Sequence, residues 1–159
     1  KNDMEEFNDN VLIIHKEYKR IELQILLDSK VPKGTWRAGY ANTENDICLF
    51  ITNDKSHIMQ ENLKYDNSLH SDEIIQWISQ PKTYHSSSVG QMFIRHREKK
   101  MKVHIFARKY AFMNGNKTNP FIYLGQADYY KSFGDKPMTI LWKLHRKLPQ
   151  ELIQELYKL

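Results

Sequence analysis

Gly90-Gln91-Met92-Phe93-Ile94-Arg95-His96-Arg97-Glu98-Lys99-Lys100-Met101-Lys102-Val103-His104-Ile105-Phe106-Ala107-Arg108-Lys109-Tyr110 is the stretch on which the fold turns. Two runs of mixed apolar and basic residues, 90–96 and 102–110, flank a charged tip, Arg97-Glu98-Lys99-Lys100. That pattern predicts an antiparallel β-hairpin. Its neighbours extend a sheet. Ile47-Cys48-Leu49-Phe50-Ile51-Thr52 is short, apolar and β-prone, and reads as a buried strand. Residues 73–80, stopped by Pro81, read as another. Phe121–Gly125 follows the turn signal Asn114-Gly115-Asn116, and Met138–Leu144 follows Gly134-Asp135-Lys136-Pro137.

Helical patterns bracket these strands. From Glu5 to Asp28, Val11, Leu12, Ile14, Tyr18, Ile21, Ile25 and Leu26 recur at spacings of three and four. Leu148–Leu159 has Pro149 in its first turn. The expectation is one α+β domain over 1–159, with residues 1–30 as a helical lead-in. Its centre is a curved antiparallel sheet or open barrel of six or seven strands, flanked by helices.

Composition narrows the function classes. The chain has 159 residues, 40% apolar and 27% charged, with one cysteine, Cys48. A single cysteine excludes a disulfide framework within the chain and a Cys-rich zinc site. No apolar run approaches the ~20 residues of a membrane span, and no signal-peptide pattern is present. The net charge of +5 is uneven: Pro81–Pro120 holds nine of the 24 basic residues against Glu98 alone, leaving +8 there and −3 elsewhere. A polyanion partner gives a physical reason for that concentration, because each phosphate neutralised releases counterions. A solvated hairpin with lysines at its tip is the plain alternative.

Catalytic signatures are sparse. The seven histidines, His15, His57, His70, His85, His96, His104 and His145, show no i, i+4 pair and no zinc motif. His104 alternates with basic residues and is expected to face DNA or solvent. Glu98-Lys99-Lys100 has the Glu-x-Lys spacing of metal-dependent nucleases, with Asp66 or Asp72 as a second Mg²⁺ ligand. Its surroundings are those of an exposed tip. There is no Gly-rich phosphate loop. Ser86-Ser87-Ser88 reads as a polar loop, with nothing to mark a nucleophile.

Aromatic residues gather beside polar ones in three places: Gly34-Thr35-Trp36-Arg37-Ala38-Gly39-Tyr40, Tyr65-Asp66-Asn67 and Trp77-Ile78-Ser79-Gln80. Rings beside an Asp or Gln are what a base-holding pocket needs, one to stack and one to read the Watson–Crick edge. Trp77 as core and Tyr65 as a loop anchor is the alternative reading.

Several segments carry a family resemblance. They are Tyr-Lys-Arg-Ile-Glu…Leu-Leu (18–27), Ile-Cys-Leu-Phe-Ile-Thr…Lys (47–55), Tyr-Asp (65–66), Trp-Ile-Ser-Gln (77–80), Val-His-Ile-Phe-Ala-Arg-Lys (103–109), Tyr-Leu-Gly (123–125) and Lys-Pro-Met…Trp-Lys-Leu…Leu-Pro (136–149). In this order the chain resembles a bacterial C-terminal domain family appended to helicase-like restriction and defence proteins. Within it, the likeness is to the specificity domains of SauUSI-like, modification-dependent (Type IV) restriction enzymes. The resemblance implies an SRA-like barrel of the PUA superfamily type that reads 5-methylcytosine or 5-hydroxymethylcytosine in duplex DNA by base flipping.

It further implies a non-catalytic domain that needs no cofactor of its own, in a cytoplasmic bacterial protein. Lys1 in place of Met fits a fragment whose parent carries upstream nuclease and helicase domains using ATP and Mg²⁺. Placed by chemistry, the pocket residues are Asp66 for the cytosine amine, Tyr65 and Trp77 as stacking rings, and Gln80, Trp36, Ser79 and Tyr40 around them. Arg37, Lys55, Arg95, His96, Arg97, Lys99, Lys100, Lys102, His104, Arg108, Lys109 and Lys117 are the expected backbone contacts. The rival readings are a protein-interaction module docking on the parent ATPase, a metal-dependent nuclease and an RNA reader.

Overall fold

Five consecutive buried residues, Ile47–Ile51, fill β3 (Asp46–Thr52), and the same pattern recurs over Val103–Ala107 in β5 (Lys102–Arg108). Strands buried on both faces belong at the centre of a sheet. In the computed structural model, which describes residues 11–53 and 69–157, β3 and β5 pair in parallel from Asp46↔Lys102 to Thr52↔Arg108. A parallel pair requires a crossover. The intervening chain supplies β4 (Ile74–Ile78) and α2 (Ser88–Ile94). The other elements are β1 (Glu17–Tyr18), α1 (Arg20–Leu26), β2 (Tyr40–Asn42), β6 (Phe121–Phe133), β7 (Thr139–Leu144) and α3 (Gln150–Tyr157). The seven strands run β2-β3-β5-β6-β7-β4, with β1 against the start of β6.

Alternation along the central strands builds two cores. Ile47, Leu49, Ile51, Val103 and Ile105 face one, closed by Phe93 of α2 and Leu152, Ile153 and Leu156 of α3. Cys48, Phe50, Phe106, Phe121 and Tyr123 face the other, covered by Leu12, Leu23 and Trp36. Two register shifts in the pairings of β6 curl the sheet, one facing Ile105/Phe106 where Gly125 takes φ +106°, and one at Tyr129/Lys131. The curl brings the edge strands β2 and β4 together. Tyr40 meets Trp77 edge-on at 6.3 Å, and both rings pack on Phe93, at 5.3 and 5.1 Å. No ladder joins β2 to β4 among the described residues, so the barrel is open at a seam filled by aromatic rings.

The opening stretch folds differently from the hairpin reading, and the sheet is mixed where an antiparallel one was expected. Residues 88–94 are helix α2, whose N-cap Ser87 accepts a hydrogen bond from Gly90 N–H at 3.1 Å. Val89, Met92 and Phe93 are spaced for that helix, and the serine run before them is its start signal. Gly90 is required there because a Cβ would collide with the Tyr84 carbonyl oxygen. Only 102–108 is strand.

The helical lead-in is likewise short. Within the described residues α1 spans Arg20–Leu26, while 11–18 runs irregularly into β1, with His15 at φ +67°. Leu12 enters the second core, and the His15 N–H bonds the Tyr123 carbonyl at 2.8 Å. The three-and-four spacing there records tertiary docking. Residues 1–10 lie outside the described residues. Strands at 47–52, 74–78 and 139–144 and the final helix agree with the sequence reading, and β6 is longer than expected. Among the described residues no helix is long and apolar enough to cross a membrane.

Candidate functional site

A cavity of about 550 Å³ opens at the seam, walled by Trp36, Arg37, Ala38, Tyr40, Asn42 and Gln80 among others. The loop that forms its outer wall is held by buried Gln24, which donates to the Pro32 carbonyl at 3.0 Å and accepts from Gly34 N–H at 2.7 Å. Phe50 N–H bonds the Gly39 carbonyl at 2.8 Å and fixes the loop's far end to β3. Gly39 runs beside the Gln80 amide and the Trp77 indole nitrogen, each 3.9 Å from where a Cβ would stand. Behind the wall, the Ser79 hydroxyl accepts from Met138 N–H at 2.8 Å and donates to the Gln80 carbonyl at 3.0 Å.

The structure therefore brings together Trp36, Arg37, Tyr40 and Gln80. Ser79 positions Gln80 through the backbone. Trp77 is 4% exposed and packed between Tyr40 and Phe93, so it supports the wall from the core side. Tyr65, Asp66 and Lys55 lie outside the described residues.

The basic residues do not form one surface. Arg95, Arg97, Lys99 and Lys100 occupy the exposed turn before β5, with Lys102 at its first position, whereas Arg108 ends the strand and Lys109 and Lys117 come after it. Seven residues of strand separate the groups by roughly 20 Å. The register places the 34–39 loop, and hence the seam cavity, with the second group: Phe50, bonded to Gly39, lies level with Phe106. Arg97, Lys100 and Lys102 of the first group line a smaller cavity of about 280 Å³ with Asp128, which meets His145 at 3.2 Å and Arg97 at 3.8 Å. Glu98 in that turn is exposed and paired with Arg95 at 2.8 Å. Among the described residues no three His, Cys, Asp or Glu side chains are grouped to hold a metal.

Two expected backbone contacts are interior, because even-numbered side chains of β5 face the second core and the turn folds His96 beneath itself. His104 is 1% exposed, bonding Asp46 Oδ1 through Nε2 at 2.8 Å and the Tyr123 hydroxyl through Nδ1 at 2.9 Å. His96 is 1% exposed, its Nδ1–H donating to the Met101 carbonyl at 3.0 Å and its Nε2 accepting from Tyr129 N–H at 3.1 Å. Burial holds the His96 imidazole below its ordinary value, against the upward pull of the Met101 carbonyl and Asp128.

This has a pH consequence. Between that lowered value and about 6.5 the unfolded chain binds a proton that the folded chain does not, so stability falls as pH drops through the window. His96 is expected to contribute up to about 1.4 kcal/mol per pH unit there. Urea melts from pH 7.5 to 5 should show a shallower acid limb in His96→Gln than in the parent.

A pair of arginines lies between the loop and the strand ends. The Arg20 guanidinium stacks on Phe50 and Phe121, 4.7 and 5.0 Å from their centroids, and donates to the Ala38 carbonyl at 3.2 Å. Arg108 stacks on Phe121 at 4.1 Å and donates to the Thr52 hydroxyl and the Asn119 carbonyl, both at 2.9 Å. Burial, with Arg20 beside it, pulls the Arg108 guanidinium down to about 10, and burial lowers Arg20 as well.

A family model described as a domain of unknown function, DUF3427, matches residues 12–156. The chain belongs to the DUF3427 family. No curated protein matches the sequence. Among solved structures, SUVH6 of Arabidopsis thaliana in complex with SAM is 16% identical with a TM-score of 0.47, covering 86% of this chain and 26% of its own. The DUF3427 chain thus spans about a quarter of SUVH6. The SUVH5 SRA–hemimethylated CG DNA complex is 12% identical with a TM-score of 0.49, covering 87% and 91%. The MspJI restriction endonuclease in complex with a 27-mer oligonucleotide is 9% identical with a TM-score of 0.51, covering 84% and 42%. The last likeness establishes a shared fold. Sequence reasoning missed Arg20 in this DUF3427 domain because it sits within an amphipathic pattern, where an arginine reads as solvated surface.

Proposed function

We propose that this chain is a non-catalytic recognition domain that takes a flipped 5-methylcytosine or 5-hydroxymethylcytosine of duplex DNA into the seam cavity. In its parent protein it directs an ATP-dependent restriction nuclease against modified foreign DNA. The observation that carries the reading is the cavity itself: two aromatic residues, Trp36 and Tyr40, with the Gln80 and Asn42 amides, at the seam where β2 and β4 share no ladder among the described residues. Flipping costs a few kcal/mol of unstacking, and ring stacking at about 1–3 kcal/mol per base with edge hydrogen bonds offsets it. The methyl group adds about 1 kcal/mol of apolar burial, so the shape of the pocket must supply the rest of the discrimination. The shared fold with MspJI, a restriction endonuclease solved with an oligonucleotide, supports the same reading.

The test compares binding of duplexes with one modified cytosine against unmodified controls. Tyr40→Ala and Gln80→Ala are each expected to lower the preference by about 10- to 100-fold while salt-sensitive background binding remains. Asp66→Ala in the same assay tests the carboxylate expected at the cytosine amine. Equal affinity of the parent for both duplexes overturns the reading. The exposed face of α1, with Ile21, Ile25 and Leu26 each at least 42% exposed, favours protein docking as the second reading. A domain that binds no duplex at low salt favours that reading over the first.

A further inference from the structure

Two like charges share one half-buried place. Arg20 and Arg108 both lie within 5.0 Å of the Phe121 ring centroid, and none of their partners among the described residues is acidic. Of five N–H donors on each guanidinium, Arg20 uses one toward a described acceptor and Arg108 two, and the Arg20 Nε is buried without an acceptor. Their two carbonyl bonds and the Thr52 hydroxyl orient them but supply no negative charge, and no acidic partner stands among the described residues. Desolvating like charges together is unfavourable unless an anion completes the arrangement. A planar fork held over an aromatic ring is the form in which arginine meets phosphate oxygens.

We propose that Arg20 and Arg108, stacked on Phe121, form a preformed phosphate-binding clamp that grips a phosphodiester of the duplex beside the seam cavity. The clamp borders that cavity directly, since Arg20 holds the carbonyl of Ala38 in its wall. The gripped phosphate is therefore next to the nucleotide in the pocket. This rests on the reading of the cavity as a nucleotide site, yet the clamp can be tested apart from it.

The first arm titrates the free domain with inorganic phosphate and follows the arginine Nε–H resonances. Those of Arg20 and Arg108 should shift, and chloride at equal ionic strength should leave them unmoved. If a carboxylate of this chain outside the described residues already fills the clamp, phosphate moves neither signal, and the proposal is overturned. The second arm uses modified duplex with single neutral methylphosphonates. One position flanking the modified cytosine should weaken the parent, and in Arg20→Gln/Arg108→Gln the same substitution should cost nothing further. The double variant should bind modified and unmodified duplexes more weakly alike, with a log–log salt slope about 1 unit shallower. A slope unchanged from the parent, or a methylphosphonate penalty that survives in the double variant, overturns the clamp while leaving the pocket reading intact. Phosphate shifts in a domain with no preference for modified DNA would support the clamp and overturn the pocket.

Discussion

Phe93→Ala is expected to cost about 3–5 kcal/mol of folding stability and to weaken discrimination at the seam along with it. Phe93 is fully buried in α2 and meets Tyr40 at 5.3 Å, Trp77 at 5.1 Å and Trp142 at 6.3 Å. These contacts do the work that backbone pairing does elsewhere in the sheet, because β2 and β4 share no ladder. Truncation removes the ring's burial and leaves a void beneath Tyr40, which walls the proposed pocket. Phe93→Leu retains most of the volume and should cost less than about 1.5 kcal/mol. Urea midpoints at constant m-value measure both. If Phe93→Ala destabilises by less than 1 kcal/mol, the seam is not held by its rings. If Phe93→Leu restores stability but not the preference for modified DNA, the edge-on contact with Tyr40 sets the pocket's shape beyond filling space.

The same residues show what a sequence makes legible. β3 was readable because a continuous apolar run bounded by polar residues fits few alternatives. β4 and β7 carried comparable signals. The parallel pairing of β3 with β5 had no local signature, since β5 reads the same whichever neighbour it takes. Met92-Phe93-Ile94 satisfied both periods, and the deciding information lay upstream in the Ser87 cap and in the close approach at Gly90. For the site, the 34–40 loop and Gln80 were visible as residue types, but their meeting depends on the sheet curling until its edges face each other. From residue types, Trp77 reads as a stacking ring and Tyr40 only as a neighbour of the pocket. Alternation along β4 sends Trp77 into the core, whereas Tyr40 at the start of β2 keeps one side toward the cavity. The charge excess was real in sequence and divided in space, because a buried seven-residue strand runs through its middle.

His104→Leu is expected to cost about 3–5 kcal/mol, as much as the loss of the Phe93 ring, although it exchanges a polar residue for an apolar one in the core. The reason is what it abandons. Asp46 opens β3, His104 lies in β5 and Tyr123 in β6, so the Asp–imidazole–hydroxyl chain ties three neighbouring strands across their faces. A carboxylate only accepts, so Nε2–H donates to Asp46, and in the neutral ring Nδ1 then accepts from the Tyr123 O–H. Leucine leaves the carboxylate, 16% exposed, without its buried donor and takes from the tyrosine hydroxyl the nitrogen it donates to. Asp46→Ala should cost about 1–3 kcal/mol by orphaning the ring N–H. The Asp46→Ala/His104→Leu double variant should then be less destabilised than the two losses added together, by about 1–3 kcal/mol, since the second change removes the group the first left unsatisfied. Additive losses would mean that the chain is three separate contacts. A coupling of the expected size makes it one unit that holds the β3–β5–β6 register, and with it the placement of Thr52, Arg108 and Phe121 at the strands' far end.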